Sequence, residues 1–255
     1  MRTVICHYHI YKNSGTTFDA LLDRNFGDRH LCFDGPFPFF SINQQELLKV
    51  INRHPSVVAF SSHQVALPVP SAVGLNVLPV VFVRHPLLRI VSIYQFKRAE
   101  KDGTETSRNA EAMDFDEWVR HSLGHRQEVT QVSNAQTRML GAVHGESALS
   151  QRAGSGMLYD YHQALRNLRA VDLLARTEHF DADVGRFPAL LAEHGIEFAV
   201  DDTTPLNVTA STPGLSVEER LAQVRGALSE GSYEALCAAN AQDLDLYAQV
   251  CARLG

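Results

Sequence analysis

The stretch HIYKNSGTTF, residues 9–18, decides how the rest of the chain is interpreted. The residues that lead into it, TVICHYHI, are mostly apolar or β-branched and predict a buried strand. Beyond the stretch, Phe18 and Leu22 recur one helical turn apart and predict a helix that ends near Gly27. Residues 9–18 are therefore expected to form a short loop between a strand and the N-terminus of a helix.

This loop carries groups that suit an anion. A helix N-terminus presents free N–H groups and the positive end of the helix dipole. Lys12 adds positive charge, Gly15 allows close approach of the backbone, and hydroxyl donors are present at Ser14, Thr16 and Thr17. The loop alone leaves one alternative open, an ordinary strand-to-helix turn with a Ser or Thr N-cap.

Composition predicts a folded chain in which any phosphate site is local. The 255 residues are 45% hydrophobic and can bury a core, and the net charge of −6 argues against a general nucleic-acid binder. The 4 cysteines form no C-x-x-C motif and are expected to be reduced structural thiols. No apolar run approaches the ~18 residues of a membrane span. Because the first strand begins almost at Met1, we expect a cytoplasmic protein, or one domain of a longer chain.

Apolar runs alternate with helical patterns along the chain. Three further strands are predicted in VVAFSSHQV at 57–65, LPVVFV at 78–83 and VDLLAR at 171–176. Continuous apolar runs that alternate with helices predict a parallel sheet covered on both faces, here in a single α/β domain spanning 1–255. Helices are predicted at 43–54, 86–101, 115–123, 134–142, 159–169, 181–194, 216–228 and 232–253, and loops at 30–41, 102–112, 146–156 and 201–214.

Reactive side chains follow three of the predicted strands. The first strand leads to Lys12 and the hydroxyl-rich loop, the second to Ser61, Ser62 and His63, and the third to Arg84. The carboxyl ends of strands in an open α/β sheet face a common crevice. We therefore expect these side chains to meet at one edge of the sheet.

Arg84 and Ser92 are candidates for a second phosphate site. Arg84 directly precedes a helix, and Ser92 lies two turns into it, on the face that also carries Arg89. A guanidinium and a nearby hydroxyl suit a phosphate group. Taken singly, Arg84 could instead pair with a carboxylate, and Ser92 could be a solvated hydroxyl. Together, two phosphate-sized sites near His63 predict a nucleotide with phosphates at both ends of its ribose.

At these residues the chain resembles a known family. HIYKNSGTTF resembles the 5′-phosphosulfate loop of PAPS-dependent sulfotransferases, and VVFVRHPLLRIVSIYQF, residues 80–96, resembles their 3′-phosphate motif. The branch most similar contains the heparan sulfate 2-O- and 6-O-sulfotransferases and their bacterial relatives. SSHQV at 61–65 and NAQTRMLG at 134–141 add softer similarity. The sequence departs from the family at Tyr11, where Pro is usual, and at Asn13–Ser14, where a Thr and a small residue are usual.

The resemblance implies a P-loop-like, Rossmann-like α/β fold that transfers a sulfuryl group from PAPS to an acceptor hydroxyl or amine, with PAP as the second product. In this scheme Lys12 neutralises charge on the leaving oxygen, and His63 takes the proton of the acceptor. No metal is expected, because the loop lacks the G-K-[ST] ending of a Walker A motif. The implied cofactor-binding residues are Lys12, Asn13, Ser14, Gly15, Thr16 and Thr17 at the 5′-phosphate, Arg84 and Ser92 at the 3′-phosphate, and Asn207 and Thr209 in a late loop over the nucleotide.

Two other functions stay open at this point, a P-loop-like nucleotide kinase or phosphotransferase and a non-catalytic PAP-binding module. For His63 the alternative is a surface histidine in a polar loop. His7 and His9 alternate on one strand face at a spacing that could bind metal, yet no Cys or carboxylate partner is near them in sequence, so His9 is expected to be a core or loop-supporting residue. The acceptor could be a carbohydrate or another small molecule, since acceptor pockets are built from variable loops.

Overall fold

A parallel β-sheet of five strands forms the centre of the fold. The computed structural model describes residues 1–36, 41–142, 158–200 and 214–255. Within these residues the strand order is β2-β3-β1-β4-β5, and every neighbouring pair is parallel. The expected α/β fold with a helix-covered parallel sheet is confirmed. The strands are β1 Arg2–Tyr8, β2 His30–Cys32, β3 Ala59–Ser62, β4 Leu75–Val83 and β5 Leu173–Arg176.

The register of the sheet brings three strand ends together. In β1, His7 pairs with Ser61 of β3, and Tyr8 pairs with Val81 of β4. Because parallel strands end at the same edge, the segments that follow β1, β3 and β4 emerge side by side. The predicted loop after β1, His63 after β3 and Arg84 after β4 all begin at this edge.

Helices cover both faces of the sheet and extend the fold beyond it. Local sequence explains several of their starts: Asn43 and Glu46 form a capping box, and Pro86 occupies the first turn of its helix, where its missing N–H costs nothing. Among the described residues, no helix combines the length and apolar character needed to cross a bilayer. The helices are α1 Gly15–Phe26, α2 Gln44–Arg53, α3 Pro86–Glu100, α4 Glu105–Ala112, α5 Phe115–Gly124, α6 Val129–Val132, α7 Ala135–Leu140, α8 Tyr161–Arg169, α9 Phe180–Val184, α10 Phe187–Ala192, α11 Val217–Gly226, α12 Glu230–Ala239 and α13 Ala241–Leu254.

Alternating side chains of β1 divide the core between the two faces of the sheet. Val4, Cys6 and Tyr8 belong to the cluster on one face, together with α2, α8 and α13. Ile5 belongs to the cluster on the other face, where α1 supplies Phe18 and its neighbours. Burial on both faces explains why β1 lacks the polar alternation of a half-exposed strand.

A third apolar cluster lies beside the sheet and anchors the helices around α3. Leu88 and Ile93 of α3 pack with Trp118 of α5, and Leu236 of α12 joins them. This cluster fixes α3, which carries residues of the candidate site, against the C-terminal helices.

The structure corrects the predicted elements at four places. Residues 102–112 are not entirely a loop, because Thr104 caps α4 and Ala110 of that helix is buried. The predicted loop at 30–41 contains the short strand β2, and residues 37–40 lie outside the described part. The helix predicted at 181–194 is divided into α9 and α10, and the one at 232–253 is divided at Asn240 into α12 and α13. The predicted loop at 146–156 and residues 201–213 of the predicted loop at 201–214 also lie outside the described residues.

Candidate functional site

The loop between β1 and α1 holds an unusual backbone conformation. Lys12 has a φ of 67° and Ser14 a φ of 61°, both in the left-handed region that non-glycine residues rarely adopt. Helix α1 begins at Gly15, so the first N–H groups of its opening turn have no acceptor within the helix. Ser14 is the N-cap residue, yet its hydroxyl makes no capping hydrogen bond, and no acidic residue lies in the first turn. This backbone suits an external anion.

Two arginines hold the loop in place by its carbonyl groups. Arg84 donates from a terminal guanidinium nitrogen to the carbonyl of Lys12 at 3.0 Å. Arg89, which is buried, donates from Nε to the carbonyl of Tyr11 at 3.0 Å and from a terminal nitrogen to the carbonyl of Gln131 at 2.8 Å. The carbonyls of Tyr11 and Lys12 therefore point toward arginine side chains.

Asn13 faces the interior of the protein. Its side-chain nitrogen donates to the carbonyl of Phe82 at 2.8 Å and to Oε1 of Gln136 at 2.7 Å. The same Gln136 oxygen accepts the backbone N–H of Arg84 at 2.9 Å, so one buried amide joins the loop to the end of β4. The structure therefore places the Asn13 side chain as a brace of the loop, away from the cavity described below.

Lys12 lies in a partly buried and electropositive position. Its Nζ is 4.2 Å from the centre of the Phe96 ring, a cation–π contact. Burial, reinforced by the positive charge of Arg84, lowers the pKa of Lys12 to about 8. A negative charge that approaches the ammonium group therefore stabilises its protonated form.

Gly15 is required because of a histidine ring. A Cβ atom at this position would lie 2.0 Å from both Cδ2 and Nε2 of His9. The ring of His9 thus packs directly against the first turn of α1. The sequence predicted a glycine for close approach of a phosphate, and the structure adds this second reason for it.

His7 and His9 share the carboxylate of Asp19 on α1. Nδ1 of His7 is 2.7 Å from one carboxylate oxygen, and Nδ1 of His9 is 2.9 Å from the other. Burial alone would raise the pKa of Asp19, but the hydrogen bonds from the two rings together lower it. The carboxylate that sequence reasoning did not find near these histidines comes from the facing helix. His9 is buried and its ring packs against Gly15 at the start of α1.

His63 stands beside this pair with a defined tautomer. Its Nδ1 is 3.0 Å from the carbonyl oxygen of His9, and a carbonyl only accepts, so Nδ1 carries the proton and Nε2 is the basic atom. The rings of His63 and His9 are 3.8 Å apart. Burial, with the neighbouring His9, lowers the pKa of His63 below its ordinary value of 6.5, so the ring is neutral at pH 7.

The two serines before His63 do not set its tautomer, because their hydroxyls contact other groups. The hydroxyl of Ser61 lies 2.9 Å from Nε2 of His30. The hydroxyl of Ser62 donates to Asp34 at 2.9 Å, and the same carboxylate oxygen accepts the backbone N–H of His63 at 3.0 Å. Ser62 and Asp34 thus fix the backbone of His63 and leave its ring to the His9 carbonyl.

The buried carboxylate of Glu178 positions the residues around Arg84 in the candidate site. Glu178 accepts the hydroxyl of Tyr247 at 3.0 Å and the backbone N–H of His85 at 3.2 Å, and it lies 3.7 Å from Nε of Arg84. Burial, together with the positive charge of Arg220 of α11, lowers the pKa of His85 to about 4. Arg84 and Arg220 together make this part of the site positive.

One cavity of about 690 Å³ receives side chains from all of these elements. Its volume is in the range usual for small-molecule sites. Asn207 and Thr209 lie outside the described residues, and Asn13 is not among the lining residues. The predicted site residues that line the cavity are Lys12, Ser14, Gly15, Thr16, Thr17, His63, Arg84 and Ser92.

Sequence reasoning missed several residues that shape this cavity. Glu178 follows β5 at the same edge of the sheet, so its position after a strand was a usable signal. Gln136 lies in NAQTRMLG, the segment noted for family resemblance, and its buried amide gives that segment a structural role. Arg220 lies on a polar helix with no local signal that it faces a cavity.

The fold and the cavity define a class of protein: an α/β protein in which a braced, positively charged loop after β1 faces a ligand-sized cavity at the carboxyl edge of the sheet. Comparison with known families then gives the identity more closely. The sulfotransferase family matches residues 2–245, nearly the whole chain, and the chain belongs to that family. An uncharacterized protein of Archaeoglobus fulgidus is 29% identical over 258 residues, covering 98% of this chain and 96% of the relative.

Proposed function

We propose that this chain transfers a sulfuryl group from PAPS to an acceptor hydroxyl. The observation that carries the proposal is the shared cavity, which brings together the braced loop with Lys12, the pair Arg84 and Ser92, and the neutral ring of His63. A nucleotide with phosphate groups at both the 5′ and 3′ positions matches two positive regions in one cavity. Membership of the sulfotransferase family supports the same reaction.

The residues of the loop fit a 5′-phosphosulfate. The first N–H groups of α1 point out of the helix end, and Ser14 and Thr16 add hydroxyls at the cavity. Left-handed backbone at Lys12 and Ser14 turns successive N–H groups toward one side, the geometry of an anion-binding nest. Gly15 keeps the start of the helix free of a side chain.

Arg84, Ser92 and Arg220 fit a 3′-phosphate. All three line the cavity, and the Nε atoms of both arginines are buried without a hydrogen-bond partner in the described structure. Glu178 restrains the guanidinium of Arg84 without a short bidentate contact, since Nε of Arg84 lies 3.7 Å from Oε1 of Glu178. A phosphate would supply the acceptors that these nitrogens lack. Binding at this position is what would separate PAPS from ATP.

Lys12 and His63 are the residues that we propose act in the transfer. When bound, PAPS supplies an activated sulfuryl group on a phosphate leaving group. Lys12 would stabilise the negative charge that grows on the bridging oxygen as the sulfur–oxygen bond breaks. His63 would accept the proton of the acceptor hydroxyl at Nε2 as the new oxygen–sulfur bond forms. Positioning and charge stabilisation account for most of such transfers, which agrees with the heavily braced loop.

The acceptor class that we propose is a hydroxyl of a carbohydrate or another small molecule. The resemblance of both phosphate motifs to the heparan sulfate 2-O- and 6-O-sulfotransferase branch supports a carbohydrate. Tyr11, Phe96 and Phe115 line the cavity and offer flat apolar surfaces against which a sugar ring or a small aromatic alcohol could pack. A single domain is consistent with this scheme, because every predicted site element that the structure describes belongs to one sheet and its flanking helices.

Ligand-induced stabilisation tests the nucleotide. Thermal unfolding is measured with PAP, PAPS, ATP and ADP, each with and without Mg²⁺. A ligand at 100 times its Kd adds about 2.7 kcal/mol of stability, which raises the Tm of a domain of this size by about 5–10 °C. We expect this shift with PAP and PAPS, independent of Mg²⁺. Stabilisation by ATP that requires Mg²⁺, without any response to PAP, would instead identify a phosphotransferase.

Replacement of His63 by Ala tests the base. PAP release is followed with PAPS and a panel of carbohydrate and small-molecule hydroxyls. The variant should retain PAP binding while turnover falls by ~10²–10⁴-fold, the usual contribution of a general base. Because burial lowers the pKa of His63, the acidic limb of the parent pH–rate profile should lie below pH 6.5 and disappear in the variant. Near-parental turnover would show that His63 is a surface histidine without a catalytic role.

A further inference from the structure

A second cluster of chemically active side chains lies away from the cavity, where α5 ends. His121 is on the last turn of α5, His125 follows directly after the helix, and Glu128 comes three residues later. The two imidazole rings are stacked, with their centres 5.1 Å apart and their planes 19° from parallel. In the sequence the cluster has the form H-x₃-H-x₂-E. None of these three residues lines the cavity.

The nitrogen and oxygen atoms of this cluster converge. Nε2 of His121 is 3.6 Å from Oε1 of Glu128, and Nδ1 of His125 is 3.9 Å from the same oxygen. One ligand atom from each residue can be chosen so that all lie within 4.8 Å of one another. Two ligands of a tetrahedral Zn²⁺ are separated by about 3.3 Å, from metal–ligand distances of about 2.0–2.1 Å. Small side-chain rotations would bring these atoms to that spacing.

Burial and hydrogen bonding prepare the carboxylate. The side chain of Glu128 is only 4% exposed, an unusual position for a carboxylate without a bidentate arginine. The hydroxyl of Ser122 donates to Oε2 at 3.0 Å, and the amide nitrogen of Asn109 donates to Oε1 at 2.8 Å. These contacts orient the carboxylate as outer partners orient a metal ligand. Nδ1 of His125 is buried and has no hydrogen-bond partner among the described residues.

One further side chain, Asn109, can complete a coordination sphere. The amide nitrogen of Asn109 also lies 3.1 Å from Nε2 of His121, so the amide sits between the ring and the carboxylate. A half turn of this amide would present its oxygen at the same point. On the opposite side of the His125 ring, Nε2 lies 4.0 Å from a carboxylate oxygen of the more exposed Glu105 of α4, so Glu105 is an outer partner of the ring and not a ligand.

We propose that His121, His125 and Glu128 form a binding site for a divalent transition-metal ion of the Zn²⁺ class. Imidazole and carboxylate ligands in this ratio favour Zn²⁺ or Co²⁺ over Mg²⁺ or Ca²⁺, which prefer oxygen ligands throughout. The ion would join the end of α5 to the segment that leads into α6. Helix α6 itself contains Gln131, whose carbonyl accepts from Arg89, the arginine that also holds the carbonyl of Tyr11. The site is structural and takes no part in the proposed transfer.

Metal titration of the full chain tests the proposal. The protein is treated with a chelator and dialysed, then titrated with Co²⁺ by visible absorption and with Zn²⁺ by calorimetry. The parent should bind one ion per chain and show the absorption of Co²⁺ in a site of low coordination number. A variant with both His121→Asn and His125→Asn should weaken binding by more than the ~10–100-fold that loss of an outer-shell partner costs. The absorption spectrum should be lost with it.

Matched variants decide among the outcomes. His54→Asn with His162→Asn removes two exposed histidines elsewhere and should leave binding unchanged. The single variant His125→Gln controls for misfolding of the double variant, because Nδ1 of this ring makes no hydrogen bond in the described structure. This variant should also weaken metal binding. The pair His7 and His9 with Asp19 stays intact in every variant, so it cannot explain a difference. The proposal would be overturned if the parent binds no ion or if the His121/His125 variant binds the ion as the parent does. Loss of metal binding in the His54/His162 control variant would overturn it as well.

Discussion

Replacing Gly15 with alanine is expected to destabilise the fold through one specific contact. The added Cβ would lie 2.0 Å from the His9 ring, whereas carbon atoms in contact are about 3.5 Å apart, so the ring must move by about 1.5 Å. The ring cannot move freely, because Asp19 holds it at 2.9 Å and the His63 ring lies 3.8 Å away. Forced repacking of this kind costs about 1–3 kcal/mol.

The assay is chemical and thermal unfolding of four proteins: the parent, Gly15→Ala, His9→Ala and the double variant. Gly15→Ala should lower the Tm by roughly 2–12 °C, given about 2–4 °C per kcal/mol for a chain of this length. In the His9→Ala background the same substitution should cost little, which leaves a coupling energy of about 1–3 kcal/mol. Gly231→Ala is the matched control, because a Cβ there meets nothing within 4 Å.

PAP binding measured on the same proteins separates packing from function. Because the displaced ring pushes toward His63 and the start of α1, Gly15→Ala should weaken PAP binding, and the double variant should recover part of it. A Gly15→Ala protein that melts like the parent would refute the reasoning. Equal destabilisation in the parent and His9→Ala backgrounds would refute it as well, since the cost would then not arise from the ring.

Three further predictions concern charged groups. Arg84→Ala should weaken PAP binding by about 1.5–3 kcal/mol in calorimetry, the value of a charged hydrogen bond, and unchanged affinity would remove Arg84 from the 3′-phosphate site. PAP affinity should fall above pH 8, because burial lowers the pKa of Lys12 to about 8 and only the protonated amine attracts the anion; Lys12→Arg should keep binding to higher pH, and a parent profile that stays flat to pH 10 would contradict this. Asp183→Asn should cost about 3–5 kcal/mol in urea unfolding, because Asp183 accepts two hydrogen bonds from the buried Arg176 at 2.9 and 3.0 Å; a loss below 1 kcal/mol would show that the pair contributes little.

Local patterns predicted the parts of the site that belong to one continuous segment. Residues 9–18 join a strand pattern to a helix pattern, and the structure has β1 and α1 on either side of them. Arg84 follows an apolar run and precedes a proline, and both signals depend only on neighbouring residues. The register that places His63 beside this loop followed from the rule for parallel strand ends.

Contacts between distant segments could not be predicted in this way. Asp19 reaches His7 and His9 only because α1 packs back across β1, and the sequence does not give that packing angle. The Asn13 amide would have suited a phosphate, but Gln136, more than one hundred residues away, engages it instead. The tautomer of His63 depends on a backbone carbonyl of another strand end, which no side-chain pattern reports.

Weak local signals account for the errors in secondary structure. Helix α4 has a low apolar content, and its start depends on the cap at Thr104, so hydrophobic periodicity did not reveal it. Strand β2 has only three residues and pairs with β3 alone, below the length at which a strand pattern is distinct. Asn240 divides α12 from α13 because its amide donates to the carbonyls of Val132 and Leu236, a contact formed only in the folded protein.

The left-handed backbone of the loop after β1 and the buried cations beside it both lower the stability of the folded protein. Lys12 and Ser14 each hold a conformation that costs about 1–2 kcal/mol in a non-glycine residue. Burial lowers the pKa of Lys12 to about 8 and that of Arg89 to about 10. The charged forms of both side chains are therefore less stable in the folded protein than in water. Laboratory evolution for heat tolerance alone should therefore replace Lys12 early, whereas selection that also demands nucleotide binding should retain it. If selection keeps this loop for the proposed nucleotide binding, we expect a melting temperature below the one that the same fold would reach without it.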